Sequence, residues 1–250
     1  MIRQRDFGEV PNHLKAVWKS QPLHVASVDN FDTDEVFSVL KQGADMFTRG
    51  LVPDPVKLFI NGQAVDAAHG PLPVNEDLTD LEYDQRLTRE HAAESYLLHA
   101  FDIRPYSQEF DRKIDSLRET VLTILDREQA YDRVVAEIFM GRYKETVGGI
   151  HKERCSTLHF VLQGRKRIRL WPESTWSLEN ERIRHSVDER TGEEEHYLLD
   201  AQIGDRDAHA IDLVGAPGDL FYWPEGWWHV GSSTGYSLSL TVAFHPRRIR

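Results

Sequence analysis

His151 and Glu153 stand one residue apart in a chain of 250 residues. On a β-strand, residues i and i+2 share a face, about 6.6 Å apart at ~3.3 Å per residue, so an imidazole and a carboxylate there can converge on one ion. A third donor has to come from elsewhere. His229 is the strongest candidate, because it ends Trp223-Pro224-Glu225-Gly226-Trp227-Trp228-His229, read as a turn rigid enough to hold its ring at the mouth of a barrel. Two imidazoles and one carboxylate on one side of an iron(II) ion leave three positions open for a cosubstrate and oxygen. The H-x-E spacing is common by chance, and its weight comes from its surroundings.

Such side chains need short strands to carry them, and the second half of the chain supplies these. β-rich runs at 134–140, 157–162, 167–170, 210–214, 220–223 and 237–244 are separated by turn residues, among them Gly164, Gly215-Ala216-Pro217-Gly218 and Pro224-Glu225-Gly226. Many short strands with such punctuation predict a sandwich or barrel. The polar stretch 172–207, with Glu193-Glu194-Glu195, interrupts them and reads either as a solvated insertion or as a lid over the site. The first half is mixed α/β. A helix is expected over 32–49, with an apolar stripe of Val36, Leu40 and Phe47, and a strand over 56–60 followed by an Asn61-Gly62 turn. A second strand is expected between Glu94 and Phe101. A helix capped by Ser107 is expected over 107–127, with Phe110, Ile114, Leu117, Val121 and Leu125 on one face. The division is therefore an N-terminal α/β region, 1–130, packing on a β core, 131–250, with the insertion at about 172–207.

Composition narrows the function classes. The balance of 30 basic against 41 acidic side chains, a formal net charge of −11, argues against nucleic-acid binding, which needs a basic face. No apolar run approaches the ~18 residues of a membrane span, and the charged N-terminus lacks the apolar core of a signal peptide. Cys155 is the only cysteine. A reducing, cytoplasmic location is the expectation, with no membrane partner.

Around the metal motif the sequence resembles the JmjC/cupin-like family of 2-oxoglutarate oxygenases, particularly its asparaginyl-hydroxylase branch. The resemblance rests on His151-Lys152-Glu153, on Thr157-Leu158-His159-Phe160-Val161-Leu162-Gln163 leading to Gly164-Arg165-Lys166-Arg167, and on Leu170-Trp171-Pro172. Gly218-Asp219-Leu220-Phe221-Tyr222-Trp223-Pro224 and Trp227-Trp228-His229 complete it. It covers Tyr143 to Pro246 well and the first half faintly. It implies a mainly β fold with flanking helices, a double-stranded β-helix (jelly-roll) of cupin/JmjC type. It also implies Fe(II) and 2-oxoglutarate as cofactors, with hydroxylation of a C–H bond coupled to release of succinate and carbon dioxide.

The resemblance also assigns roles. Lys166 stands where the family holds the distal carboxylate of 2-oxoglutarate, against the plainer reading of an exposed strand lysine in a basic run. Thr157 could offer a hydroxyl to the cosubstrate or only line its wall. Tyr96 resembles a family tyrosine on the same carboxylate, or is a packed strand tyrosine with its hydroxyl at the surface. Trp223, Trp227 and Trp228 are expected to wall the site. Three positions depart from the hydroxylase pattern: Gly148 and Ala243 replace a threonine and an asparagine, and His159 replaces an aromatic. His159 faces inward by alternation from Thr157 and could bind substrate or be a core histidine. The expected substrate is an amino-acid side chain in a peptide or protein, or a free amino acid, and a homodimer is left open. Two alternatives stand beside this one: a metal cupin enzyme that does not use 2-oxoglutarate, and a non-catalytic cupin-fold binding protein.

Overall fold

The computed structural model describes residues 5–6, 10–29, 31–52, 56–125, 131–187, 192–201, 204–205, 209–233 and 235–247. The first half runs β1 (Arg5–Asp6), α1 (Val10–Val17), β2 (Leu23–Val25), β3 (Val28–Asp29), α2 (Thr33–Thr48), β4 (Val56–Ile60), β5 (Gln63–Val65), α3 (Asp80–His91), β6 (Tyr96–Ala100) and α4 (Gln108–Ile124). Strands dominate the second half: β7 (Tyr131–Arg142), β8 (His151–Glu153), β9 (Ser156–Gly164), β10 (Lys166–Trp171), β11 (Ile183–Val187) and β12 (Glu194–Leu198). β13 (Ile211–Gly215), β14 (Leu220–Trp223), β15 (Trp228–Ser232) and β16 (Ser237–Pro246) complete the chain.

Two sheets form the double-stranded β-helix. The larger has the order β2-β14-β9-β16-β7-β6-β4-β5, the smaller β11-β12-β8-β15-β10-β13. Strand alternation divides the labour on the larger sheet. Along β7, Val134, Ala136, Ile138 and Met140 join the main hydrophobic core, as do Leu238, Leu240, Val242 and Phe244 of β16. Val36 and Leu40 of α2 and Phe110, Ile114 and Val121 of α4 pack into that same core. The opposite parity, Glu137 and Phe139 on β7 with Thr241 and Ala243 on β16, faces a cavity between the sheets.

The two helices expected from periodicity are present with their caps. The Asp32 carboxylate accepts from the Glu35 amide at 3.0 Å, and the Ser107 hydroxyl accepts from the Phe110 amide at 3.4 Å. α3 escaped the sequence reading for a physical reason. Its buried positions are Asp80, Tyr83, Asp84 and Leu87, so half of its inward face is acidic and no apolar stripe exists. Asp84 is held there by Arg142 and by the Tyr96 hydroxyl, Asp80 by the Tyr236 hydroxyl. The stretch 172–207 also holds more than loop, since β11 and β12 form a hairpin that extends the smaller sheet next to β8.

At the β9–β10 turn the main chain leaves no room for a side chain. Gly164 has φ +73°, and a Cβ built there would stand 1.9 Å from the Tyr236 carbonyl oxygen. Gly164→Ala is therefore expected to cost roughly 2–5 kcal/mol, from left-handed strain plus a backbone clash. A urea melt of the purified variant checks this, and an unchanged midpoint would contradict it.

Candidate metal centre

β8 places His151 and Glu153 on one face, and β15 pairs with it antiparallel so that His229 is the register partner of His151. The two imidazole centroids are 4.2 Å apart. One nitrogen of each ring and one oxygen of Glu153 all lie within 4.8 Å of one another. The third donor is thus carried by a strand and not by the turn, which ends one residue before β15 begins.

Hydrogen bonds at the far side of each ring decide which nitrogen is offered. His151 Nδ1 is 2.9 Å from the Gly149 carbonyl, and His229 Nδ1 is 3.1 Å from the Trp227 carbonyl. A carbonyl only accepts, so each Nδ1 carries hydrogen and Nε2 is the nitrogen left to face an ion. On Glu153, Oε1 lies 3.5 Å from His151 Nε2, while Oε2 accepts from the Cys155 thiol at 3.3 Å.

Electrostatics match a cation site. Burial raises the Glu153 carboxyl, but hydrogen bonding and the charge of His151, then His229, outweigh it and hold the group well below the usual carboxylate range. Burial lowers His151, but its bond to Glu153 prevails and raises it. For His229 burial comes first, the neighbouring His151 adds to it, and the pKa falls to about 4. An ionised carboxylate beside a neutral imidazole and a second imidazole whose proton a cation would displace is a donor set for a divalent transition metal.

The cavity facing these donors measures about 390 Å³. Thr157, His159 and Trp223 line it, as the sequence predicts, and so does Lys166. Lys166 is not the exposed lysine of the plainer reading, being 1% exposed. Its amine donates to the Tyr143 hydroxyl and lies 4.5 Å from the Tyr143 ring centroid and 5.6 Å from that of Phe139. Burial alone pulls its pKa down to about 7.

Three expected residues are not brought to the cavity. Tyr96 has the wrong strand parity: Leu97 and His99 of β6 face the cavity, while Tyr96 turns to the helical side. Its hydroxyl is buried on Asp84 at 3.1 Å and reaches neither the cavity nor the surface. Trp228 precedes His229 on β15 and so faces away, packing with Trp171 and Trp176 and donating to the Glu173 carbonyl at 3.2 Å. Trp227 joins a separate apolar cluster.

Other residues at the site went unread. Tyr143 follows the end of β7, and its contact with Lys166 spans sheets, beyond the reach of sequence spacing. Thr146 lines the cavity two residues before Gly148, so a hydroxyl is present near the position where the hydroxylase pattern has one. Tyr197 stacks on His151 at 5.5 Å and 22°, with its hydroxyl on Glu195. Strand alternation through 194–198 could have flagged it.

Lys166 makes the metal-free protein's stability depend on pH. Its folded pKa of about 7 lies below the 10.5 of the free side chain, so between these values the unfolded chain holds a proton that the folded one lacks. Stability therefore rises with pH across that window, and up to about 5 kcal/mol of destabilisation is present below it. Lys166→Met is expected to melt at higher temperature than wild type near pH 6.5, with less than half of that margin left at pH 9. Parallel melting curves at both pH values would contradict this.

Residues 8–247 match the sequence model of the cupin-like domain. No curated protein matches the chain. Among solved structures it is similar to ycfD of Escherichia coli, with TM-score 0.51 and 18% identity over 96% of this chain and 53% of that one. Two further structures of that protein, described as a ribosomal oxygenase, hold cobalt with succinic acid and cobalt with 2-oxoglutarate. They match with TM-scores of 0.51 and 0.50, each at 17% identity over 96% of this chain and 52% of the other. The chain thus spans about half the length of these structures, and at such identity the likeness is one of fold.

Proposed function

Because this chain belongs to the cupin-like domain family, we propose that it is an Fe(II)- and 2-oxoglutarate-dependent oxygenase that hydroxylates an amino-acid side chain in a peptide or protein. The observation that carries this reading is the convergence of His151, Glu153 and His229 in a cavity that is also lined by a buried lysine. His151, Glu153 and His229 would hold the iron, and Lys166 with the Tyr143 hydroxyl would hold the distal carboxylate. Bound there, iron and 2-oxoglutarate would supply oxidation of a substrate C–H bond by O₂, with succinate and carbon dioxide as products.

The chain's own residues do the rest. The Gly149 and Trp227 carbonyls fix both imidazoles with Nε2 toward the ion, and Cys155 fixes the second oxygen of Glu153. Such outer partners typically matter ~10–100-fold in metal affinity. Lys166 carries the cation that a dicarboxylate needs, and burial strengthens that pairing. Trp223, Ile168 and Phe139 give the cavity apolar walls that limit water. The β11–β12 hairpin brings Arg184, Glu195 and Tyr197 to the rim, where a peptide would approach.

The ribosomal assignment of the E. coli structures supports a protein substrate, and the net charge of −11 favours a basic or neutral one. Incubation with Fe(II), 2-oxoglutarate and a panel of peptides and free amino acids tests the reading. Iron-dependent succinate, increased by some panel members and accompanied by a mass gain of one oxygen, is expected. Retained iron without any succinate would instead favour a metal cupin that does not use 2-oxoglutarate.

A further inference from the structure

Inside the cavity one buried polar atom has no protein partner among the described residues: Nε2 of His159. The side chain is 2% exposed. Its ring is held on three sides. Nδ1 lies 2.8 Å from the Thr241 hydroxyl, Phe221 stacks parallel at 6.0 Å and 6°, and Trp223 packs at 5.9 Å. With Nδ1 tied to β16, Nε2 on the far side of the imidazole points away from Thr241, and His159 lines the cavity. A buried donor without a partner is costly, so a site that retains one is built for something that fills it.

What fills it follows from position. Burial, then the charges of Lys166 and His229, depress the protonation of His159 well below the usual range, so the ring is neutral. It lines the same cavity as Lys166 and the metal donors, and Trp223 packs both against its ring, at 5.9 Å, and against that of His229, at 5.2 Å. A small dicarboxylate anchored at Lys166 and chelated at the metal would share this cavity with the ring. The Thr241 hydroxyl can donate or accept, so an oxygen acceptor at Nε2 selects the tautomer with hydrogen on Nε2 and the hydroxyl donating to Nδ1.

We propose that His159 is a third cosubstrate-binding residue, whose Nε2–H donates to an oxygen of a 2-oxo dicarboxylic acid held between Lys166 and the metal. The proposal rests on the oxygenase reading above and adds to it a donor specific to this chain. Calorimetric titration of Co(II)-loaded wild type, His159→Phe and His159→Gln with 2-oxoglutarate tests it. His159→Phe keeps a flat apolar wall without a donor, and its dissociation constant is expected to rise at least about tenfold. His159→Gln keeps an amide donor and is expected to stay within about threefold of wild type. Both variants should retain one Co(II) per chain and the wild-type melting temperature, which separates binding from folding. Equal affinity in wild type and His159→Phe overturns the proposal, and if His159→Phe instead raises only the KM for peptide, His159 belongs to the substrate. A wild-type protein that takes Co(II) but no 2-oxoglutarate overturns the cosubstrate reading itself, and this proposal with it.

Discussion

His229→Ala is expected to bind Fe(II) or Co(II) at least about a hundredfold more weakly than wild type and to lose succinate production. The remaining donors, His151 and Glu153, separated by one residue on a three-residue strand, offer a cation one imidazole and one carboxylate. His229 alone reaches the site from a second strand and closes it from the other side. Losing a direct ligand should exceed the ~10–100-fold typical of an outer-shell partner. The loss is specific to the metal, because a buried imidazole with a pKa near 4 is neutral and leaves no charge stranded when removed. The variant should therefore melt within a few degrees of wild type while failing to retain metal on desalting. Full metal retention by the variant would remove His229 from the site.

Lys166→Met is expected to weaken 2-oxoglutarate binding about a hundredfold or more without changing Co(II) stoichiometry. Truncating one partner of a buried charge pair costs about 2–5 kcal/mol, since the other charge is left buried and unpaired. The same lysine sets a pH dependence of opposite sign to that of stability. Only the ammonium form pairs with a carboxylate, and in the empty cavity that form is lost as pH rises through about 7. Wild-type affinity should fall from pH 6.5 to 8.5, while that of the methionine variant should stay flat. An unchanged dissociation constant in Lys166→Met would move the distal carboxylate elsewhere in the cavity.

Short-range and parity-based features were readable from the sequence. Alternation from His151 to Glu153, and from Thr157 to His159, needs only period two, and both pairs fall as expected. The cap at Ser107 is a local signal and was equally visible. Which face of a strand meets the cavity depends on partners far along the chain, and local spacing does not carry that information. Tyr96 and Trp228 are one residue out of phase with the cavity-facing Leu97 and His229, and a slip of one reverses the face. Helix α3 and the β11–β12 hairpin stayed hidden because their inward surfaces are polar. The contact between Tyr143, just past the end of β7, and Lys166 on β10 joins the two sheets, so only the closed barrel reveals it.

The N-terminal half extends the site's larger sheet. β6 and β4 continue that sheet beyond β7, and their cavity-facing Lys57, Phe59, Leu97 and His99 lengthen the wall that starts at the metal donors. His99 stacks on Phe139 at 4.3 Å and lies 3.2 Å from Glu137, so this wall is both aromatic and polar.

Anomalous diffraction from crystals of the Co(II)-loaded protein is the most direct measurement. One peak per chain is expected, about 2.1 Å from Nε2 of His151, from Nε2 of His229 and from an oxygen of Glu153. A cobalt peak that leaves out any one of these three side chains, or no peak between β8 and β15, would contradict the account.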